Sequence, residues 1–196
     1  WVMHAAINQT AAWQKQGLLC RPDMQIAINV SSRQIQNNSF ATQVEQAIKS
    51  AAINTRCLAL EITESLLLPN DKRCHVQLQR LSQLGLTLSV DDFGTGYSSL
   101  SVLQQAPIGQ LKIDRRFIMG LDTAKNERTS ELALVRMIIS MARELGMQVV
   151  AEGVETHQQL QELSDLKCDL IQGFLFSRPL NVAQVTMQLR DGTIAI

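Results

Sequence analysis

The chain has 196 residues, enough to bury one good core, and its 45% apolar and 18% charged content are the values of a folded domain rather than a disordered one. Eighteen basic residues balance eighteen acidic ones, so no net field draws in a long polyanion, which sets aside a nucleic-acid polymer as partner. No apolar run approaches the ~20 residues of a membrane span and no signal peptide is visible, so this segment is read as cytoplasmic with no membrane contact.

The sequence opens at Trp1 inside a helical pattern, with no initiator methionine, and reads as a piece of something longer. Residues 1–17 form an alanine-rich helix with Val2, Ala5, Ala6, Gln9 and Trp13 at helical spacing and Gly17 at its end. Residues 26–31 make a strand. Residues 40–51 make a helix carrying Phe40, Val44, Ile48 and Ala51 on one stripe. A second strand covers 58–65 with Glu61 in its middle, and a helix over 71–84 ends at Gly85. Residues 86–90, apolar and β-branched, read as a buried parallel strand. It delivers Asp91-Asp92-Phe93-Gly94-Thr95-Gly96-Tyr97-Ser98-Ser99.

A short helix over 98–105, a fourth strand over 110–114 and a long helix over 129–145 follow, and the polar stretch 120–128 is expected to be a mobile loop. In the long helix Leu132, Val135, Ile138, Ile139, Ala142 and Leu145 keep the i, i+3, i+4, i+7 pattern. The fifth strand spans 148–155, and Thr156-His157-Gln158-Gln159 is a capping box opening the next helix. The sixth strand spans 170–176, and Asn181 caps a last helix to about Arg190. His4, His75 and His157 fall in polar helical stretches and form no ligand cluster, and Cys20, Cys57, Cys74 and Cys168 lack metal-ligand spacing, so the cysteines read as buried reduced thiols.

Alternating strands and helices in units of roughly thirty residues signal βα units and a parallel sheet, hence an α/β fold. An open doubly wound sheet would gather its polar residues at one switch point. Here each strand carries one at or near its C-terminal end: Asn29, Glu61, Asp91 with Asp92, Lys112, Glu152 and Gln172. A closed barrel brings such ends to one mouth, and eight units take about 250 residues. The length therefore fits a TIM-like (β/α)8 barrel with about six of eight units present.

Asn29, Glu61, Asp91, Asp92 and Glu152 are hard oxygen ligands, suited to Mg²⁺, Mn²⁺ or Ca²⁺ rather than structural zinc. Carboxylates converging in this number would repel one another without cations, and their number argues for two ions, with Asp91 placed to bridge them. Two-ion sites favour phosphoester hydrolysis. Lys112 is the fixed positive charge in the ring, available to a phosphate oxygen, to the attacking water, or to a carboxylate as a structural partner. A Schiff-base role for Lys112 is disfavoured because surrounding carboxylates would raise its pKa. Glu64 is placed to brace the glycine loop, and Glu155 to anchor the turn where the fifth strand ends.

Asn29-Val30-Ser31, Glu61-Ile62-Thr63-Glu64-Ser65, Asp91-Asp92-Phe93-Gly94-Thr95-Gly96, Leu111-Lys112-Ile113-Asp114, Glu152-Gly153-Val154-Glu155 and Gln172-Gly173 together resemble the EAL-domain family, in its order and at its spacings. The resemblance implies a TIM-like barrel that hydrolyses cyclic di-GMP to linear pGpG with Mg²⁺ or Mn²⁺. It implies Asn29, Glu61 and Asp91 as ligands of one ion, and Asp91, Asp92 and Glu152 as serving the second ion and its water. It further implies contact of Lys112 with the water or phosphate, Glu64 as the anchor of the loop from Asp92 to Ser99, and Gln172 lining the substrate site. A homodimer, and an upstream sensor or GGDEF-type domain in a parent chain that an inner-membrane anchor could hold, are the partners such a family leads one to expect.

The Glu-Ala-Leu tripeptide that names the family is not among these 196 residues. Its glutamate would be a further metal ligand, so the resemblance implies a segment holding strands three to eight of the barrel, inactive or weak by itself. The alternative reading is a regulatory module that binds cyclic di-GMP without cutting it.

Overall fold

A computed structural model of the chain describes residues 1–19, 24–67, 72–96, 100–122 and 129–192. The strands are β1 (Ile26–Asn29), β2 (Leu58–Thr63), β3 (Thr87–Phe93), β4 (Gln110–Ile113), β5 (Gln148–Ala151) and β6 (Leu170–Ile171). They lie in the sheet in chain order, β1-β2-β3-β4-β5-β6, and β1 with β2, β3 with β4, β4 with β5, and β5 with β6 pair in parallel. Parallel strands in unbroken sequential order are the order of a barrel and lack the reversal of a doubly wound sheet. Cys20, the start of the helix expected from residue 71, residues 97–99 of the glycine loop, and 123–128 of the loop expected to be mobile lie outside the described residues.

The chain divides into two compact units, the first comprising Trp1–Ile62, Pro69–Leu88 and Pro179–Ile196, the second Thr63–Leu68 and Ser89–Arg178. The first holds helices α1 (Val2–Lys15), α2 (Ser32–Gln36), α3 (Phe40–Ala51) and α4 (Lys72–Gln83). The face that α1 buries is Met3, Ile7, Thr10, Ala11 and Trp13; of the expected stripe Trp13 alone is buried, and Val2 is 58% exposed. Met3 and Ile7 offer more apolar area than the alanines beside them, and that decides which way the helix turns. On α3, Phe40, Ala41, Val44 and Ile48 are buried. The unanticipated α2 starts from a capping box in which Ser31 and Gln34 satisfy one another's backbone, which stops β1 at Asn29. Buried Gln77 accepts from the Ala41 N–H at 3.1 Å and donates to the Asn38 carbonyl at 3.1 Å.

The second unit carries β4 to β6 and the later part of β3, with helices α5 (Leu100–Gln105), α6 (Arg115–Met119), α7 (Thr129–Glu144) and α8 (His157–Asp165). Val135, Ile138, Ile139 and Ala142 of α7 are buried, as the periodicity predicts. The last helix, α9 (Val182–Asp191), belongs to the first unit, where Thr186 Oγ1 accepts from Trp13 Nε1 at 2.8 Å.

Several strands differ in length from the sequence reading, each for a local reason. β2 stops at Thr63 because Glu64–Leu67 turns into a 3₁₀ helix. β3 runs on through both aspartates to Phe93. β4 ends at Ile113 because the Asp114 side chain accepts from the Arg116 N–H at 2.7 Å and opens α6, a helix the apolar pattern had not signalled. β5 ends before Glu152, and Gly153 at φ +70° turns the chain away. β6 keeps only two residues, since the turn at Gly173 brings its backbone against Val154. Of the three described cysteines, all are free thiols; Cys57 and Cys74 are buried and Cys168 is half-buried, with burial pushing its thiol up to about 11.

Candidate active site

In the second unit the polar residues stand where strands end. The register of β3 on β4 slips between Val90 and Phe93, and the slip falls on Asp91 and Asp92. Asp92 takes the left-handed φ of +52°, uncommon for a residue with a side chain. This local twist turns the adjacent carboxylates, which an ideal strand would send to opposite faces, toward a common point. Ligand oxygens of Asp91, Asp92 and Glu152 all lie within 4.8 Å of one another.

Lys112 enters this cluster from β4 with only 4% of its surface exposed. Its Nζ lies 2.6 Å from Glu152 Oε1 and 3.0 Å from Asp91 Oδ1. The second contact is electrostatic, since Asp91 Oδ1 is buried and has no hydrogen-bond partner. The Lys112 ammonium offsets the charge of that oxygen, and its lone pairs, without a hydrogen bond, suit a hard cation. Ser89 Oγ, two residues earlier on β3, is likewise buried without a partner.

Asp92 has a second acidic neighbour that the sequence reading did not assign to the site. Asp92 is exposed at the surface, but partial desolvation of its carboxyl, the charges of Asp91 and Asp114, and a hydrogen bond shared with Asp114 hold it above its ordinary value, against the pull of Lys112. Asp114 is itself buried and is held by the Arg116 N–H and, at 3.2 Å, by Arg116 Nε. Its position two residues beyond Lys112 was the available signal, because alternation puts both on one side of a strand.

Glu64, 6% exposed, accepts at a single oxygen from the N–H groups of Gly94 and Gly96, both at 3.1 Å. A Cβ on Gly96 would stand 2.9 Å from that carboxyl group, so a larger residue there would push the Glu64 carboxylate aside. Gln172 is exposed, and its backbone links two turns, its N–H donating to the Ala151 carbonyl at 2.8 Å and its carbonyl accepting from Val154 N–H at 3.1 Å. Gly173 is tighter still: a Cβ would lie 2.0 Å from the Val154 carbonyl oxygen. The Glu155 side chain is exposed, and the turn expected to hang on it is held instead by Gln159 Oε1, which accepts from the Glu155 and Thr156 N–H groups. In the first unit, Asn29 at the end of β1 is the register partner of Glu61 within β2, Asn29 exposed and Glu61 buried.

The sequence pattern that defines the EAL domain matches residues 1–179. Cyclic di-GMP phosphodiesterase NbdA of Pseudomonas aeruginosa is 40% identical over 190 residues, which is 97% of this chain and 23% of NbdA. Among solved structures, the PaMucR phosphodiesterase in complex with c-di-GMP superposes with a TM-score of 0.86 at 37% identity, over 94% of this chain and 72% of that one. Klebsiella pneumoniae BlrP1, solved with manganese and cyclic di-GMP, gives a TM-score of 0.75 at 27% identity, over 90% of this chain and 44% of that one. This chain spans about a quarter of the length of the curated relatives it matches, between 22% and 28%.

Proposed function

The chain belongs to the EAL domain family, and from that premise we propose that it forms the catalytic part of a metal-dependent phosphodiesterase converting cyclic di-GMP to linear pGpG. The observation that carries this reading is the meeting of Asp91, Asp92 and Glu152 around a buried oxygen without a hydrogen bond, beside a buried lysine. The donor set is all oxygen, which suits Mg²⁺ or Mn²⁺, and Asp91, Asp92 and Glu152 are the described residues that would hold the cation. By the family resemblance, Asn29 and Glu61 would be ligands of a further ion. Such cations, when bound, supply positive charge to the phosphoryl oxygen and make a water more acidic.

The residues of this chain then divide the work. Glu152 takes the proton of the attacking water. Lys112, in contact with the Asp91 and Glu152 carboxylates, faces a non-bridging phosphate oxygen. Water adds its oxygen to phosphorus, one P–O3′ bond breaks, and the proton passes to the leaving 3′ oxygen, giving a 5′-phosphate and a free 3′-hydroxyl. Glu64 holds the loop after Asp92 by its Gly94 and Gly96 N–H groups, and Gln172 lines the substrate side. The 196-residue segment alone is weak or inactive on this reading, because the Glu-Ala-Leu glutamate lies outside it.

Among the described residues no helix is long and apolar enough to cross a membrane. We place the active segment in the cytoplasm, with a sensor or GGDEF-type domain and the contacts of a homodimer carried by the longer parent protein. The test is incubation of the full-length protein with cyclic di-GMP, first stripped of metal and then with Mg²⁺ or Mn²⁺ restored. Linear pGpG appearing only with metal supports the reading; cyclic di-GMP bound but uncut with metal present would favour the regulatory alternative.

A further inference from the structure

Glu152 opens a turn of five residues, 152–156, between β5 and α8. One flank of this turn is held by backbone. The Glu152 N–H donates to the Ile113 carbonyl at 3.2 Å, and the Val154 carbonyl accepts from Leu175 N–H at 3.0 Å. The other flank is held by side chains. Gln159, 2% exposed, accepts at Oε1 from the Glu155 N–H at 2.8 Å and the Thr156 N–H at 3.1 Å, while its Nε2 donates to Asp122 Oδ2 at 2.6 Å. Thr156 Oγ1 donates to Asp122 Oδ1 at 2.9 Å and accepts from the Gln159 N–H at 3.1 Å.

A capping box that starts α8 needs only Thr156 and Gln159. The additional element is Asp122, whose two oxygens each take one of the capping side chains. A carboxylate only accepts, so it forces the NH₂ end of the Gln159 amide toward itself and leaves the carbonyl end for the turn. Asp122 closes the 3₁₀ helix that follows α6, and α6 follows directly on β4, which supplies Lys112. The bonds therefore tie the Glu152 turn to the segment carrying its lysine partner.

We infer that Asp122 and Gln159 are positioning residues for Glu152, acting by fixing the turn it opens against the β4–α6 segment. The inference rests on the role given to Glu152 in the proposed phosphodiesterase. Asp122→Asn either sets an NH₂ against the Gln159 NH₂ or, with its own amide reversed, meets Thr156 Oγ1 with an NH₂ and turns that hydroxyl from donor to acceptor; both orientations lose one of the two bonds to the carboxylate. Gln159→Glu places two carboxylates together. The double variant reverses donor and acceptor and satisfies every group: the new glutamate takes the two backbone N–H groups, and the asparagine donates to its other oxygen.

The experiment uses the full-length protein as wild type, both single variants and the double variant. It measures kcat and KM for cyclic di-GMP, Mn²⁺ affinity, and amide hydrogen exchange at Glu155 and Thr156. Each single variant should lower kcat about tenfold with KM little changed, weaken Mn²⁺ binding and speed exchange, and the double variant should recover all three. Single variants that exchange faster yet keep wild-type kcat and Mn²⁺ affinity would reduce the cluster to a helix cap and overturn the inference, as would a double variant no better than the singles. Should wild type cut no cyclic di-GMP, the phosphodiesterase reading fails on that arm alone, and unchanged Mn²⁺ affinity in the singles would then decide against the positioning role.

Discussion

Lys112 Nζ sits 2.6 Å from Glu152 Oε1, a buried ammonium from β4 meeting a half-buried carboxylate just past β5. The contact makes the site electrostatically coherent: one fixed positive charge divides Glu152 from Asp91, which lies 3.0 Å from the same nitrogen. Removing the lysine would leave two carboxylates facing each other with little solvent between them.

Lys112→Met should therefore lower stability most when metal is absent. Breaking a buried pair by deleting one partner costs about 3–5 kcal/mol, and divalent cations would restore part of that. Thermal melts in EDTA and in Mn²⁺ should show a larger metal-dependent rise for the variant than for wild type, and kcat should fall about a hundredfold. Equal metal-dependent shifts in both proteins would contradict this account of Lys112.

Asp92 should impose a pH dependence on the metal-free protein. Its carboxyl is held above the ordinary value by partial desolvation and by Asp91 and Asp114. A folded state that holds the proton more tightly than the unfolded chain is favoured at low pH, and that contribution is lost as pH rises through the raised value. In EDTA, melting temperature should decline as pH climbs from about 4, and Asp92→Asn should flatten that decline. A variant with the same slope would show that another group sets it.

Glu64 accepts two loop N–H groups at one oxygen, and Glu64→Ala would leave both without their acceptor. Each unsatisfied group costs about 1–3 kcal/mol where it stays buried, so the loop should open and kcat should fall about tenfold to a hundredfold. Glu64→Gln keeps an acceptor and should be milder. Amide exchange at Gly94 and Gly96, faster in the alanine variant than in the glutamine one, checks the mechanism.

Gly173→Ala tests the backbone side of the Glu152 turn. A Cβ there would stand 2.0 Å from the Val154 carbonyl oxygen and 2.3 Å from its nitrogen, and backbone does not swing aside as a side chain does. The substitution should cost about 3 kcal/mol or more, read from denaturant unfolding, with a loss of Mn²⁺ affinity as Glu152 is displaced. Wild-type stability would mean the turn has room that the coordinates deny.

Much of this is legible in the sequence. The parallel sheet in chain order followed from period and polarity, because buried parallel strands read as apolar runs and their polar exceptions mark the ends. Asp91, Asp92, Lys112 and Glu152 were legible for the same reason, and the structure brings the carboxylates within 4.8 Å of one another and pairs Lys112 with Asp91 and Glu152. What escaped was local. A strand that twists at its last residues does not announce it, so the left-handed Asp92 and the register slip at Asp91 were not visible. Asp114 was quoted within a motif but given no role, since a helix cap and a site carboxylate look alike in sequence. The part of Gln159 was hidden as well, since its reach back over four residues to the turn that begins the helix depends on how the helix starts.

Steady-state turnover of cyclic di-GMP by the full-length protein and its Glu152→Gln variant, with saturating Mn²⁺, tests the central claim most directly. The variant keeps the shape of the side chain and loses the base, so kcat should fall at least about a hundredfold while KM changes little and pGpG remains the product of the wild type. A Glu152→Gln protein that turns over at the wild-type rate would contradict the assignment of this cluster as the hydrolytic centre.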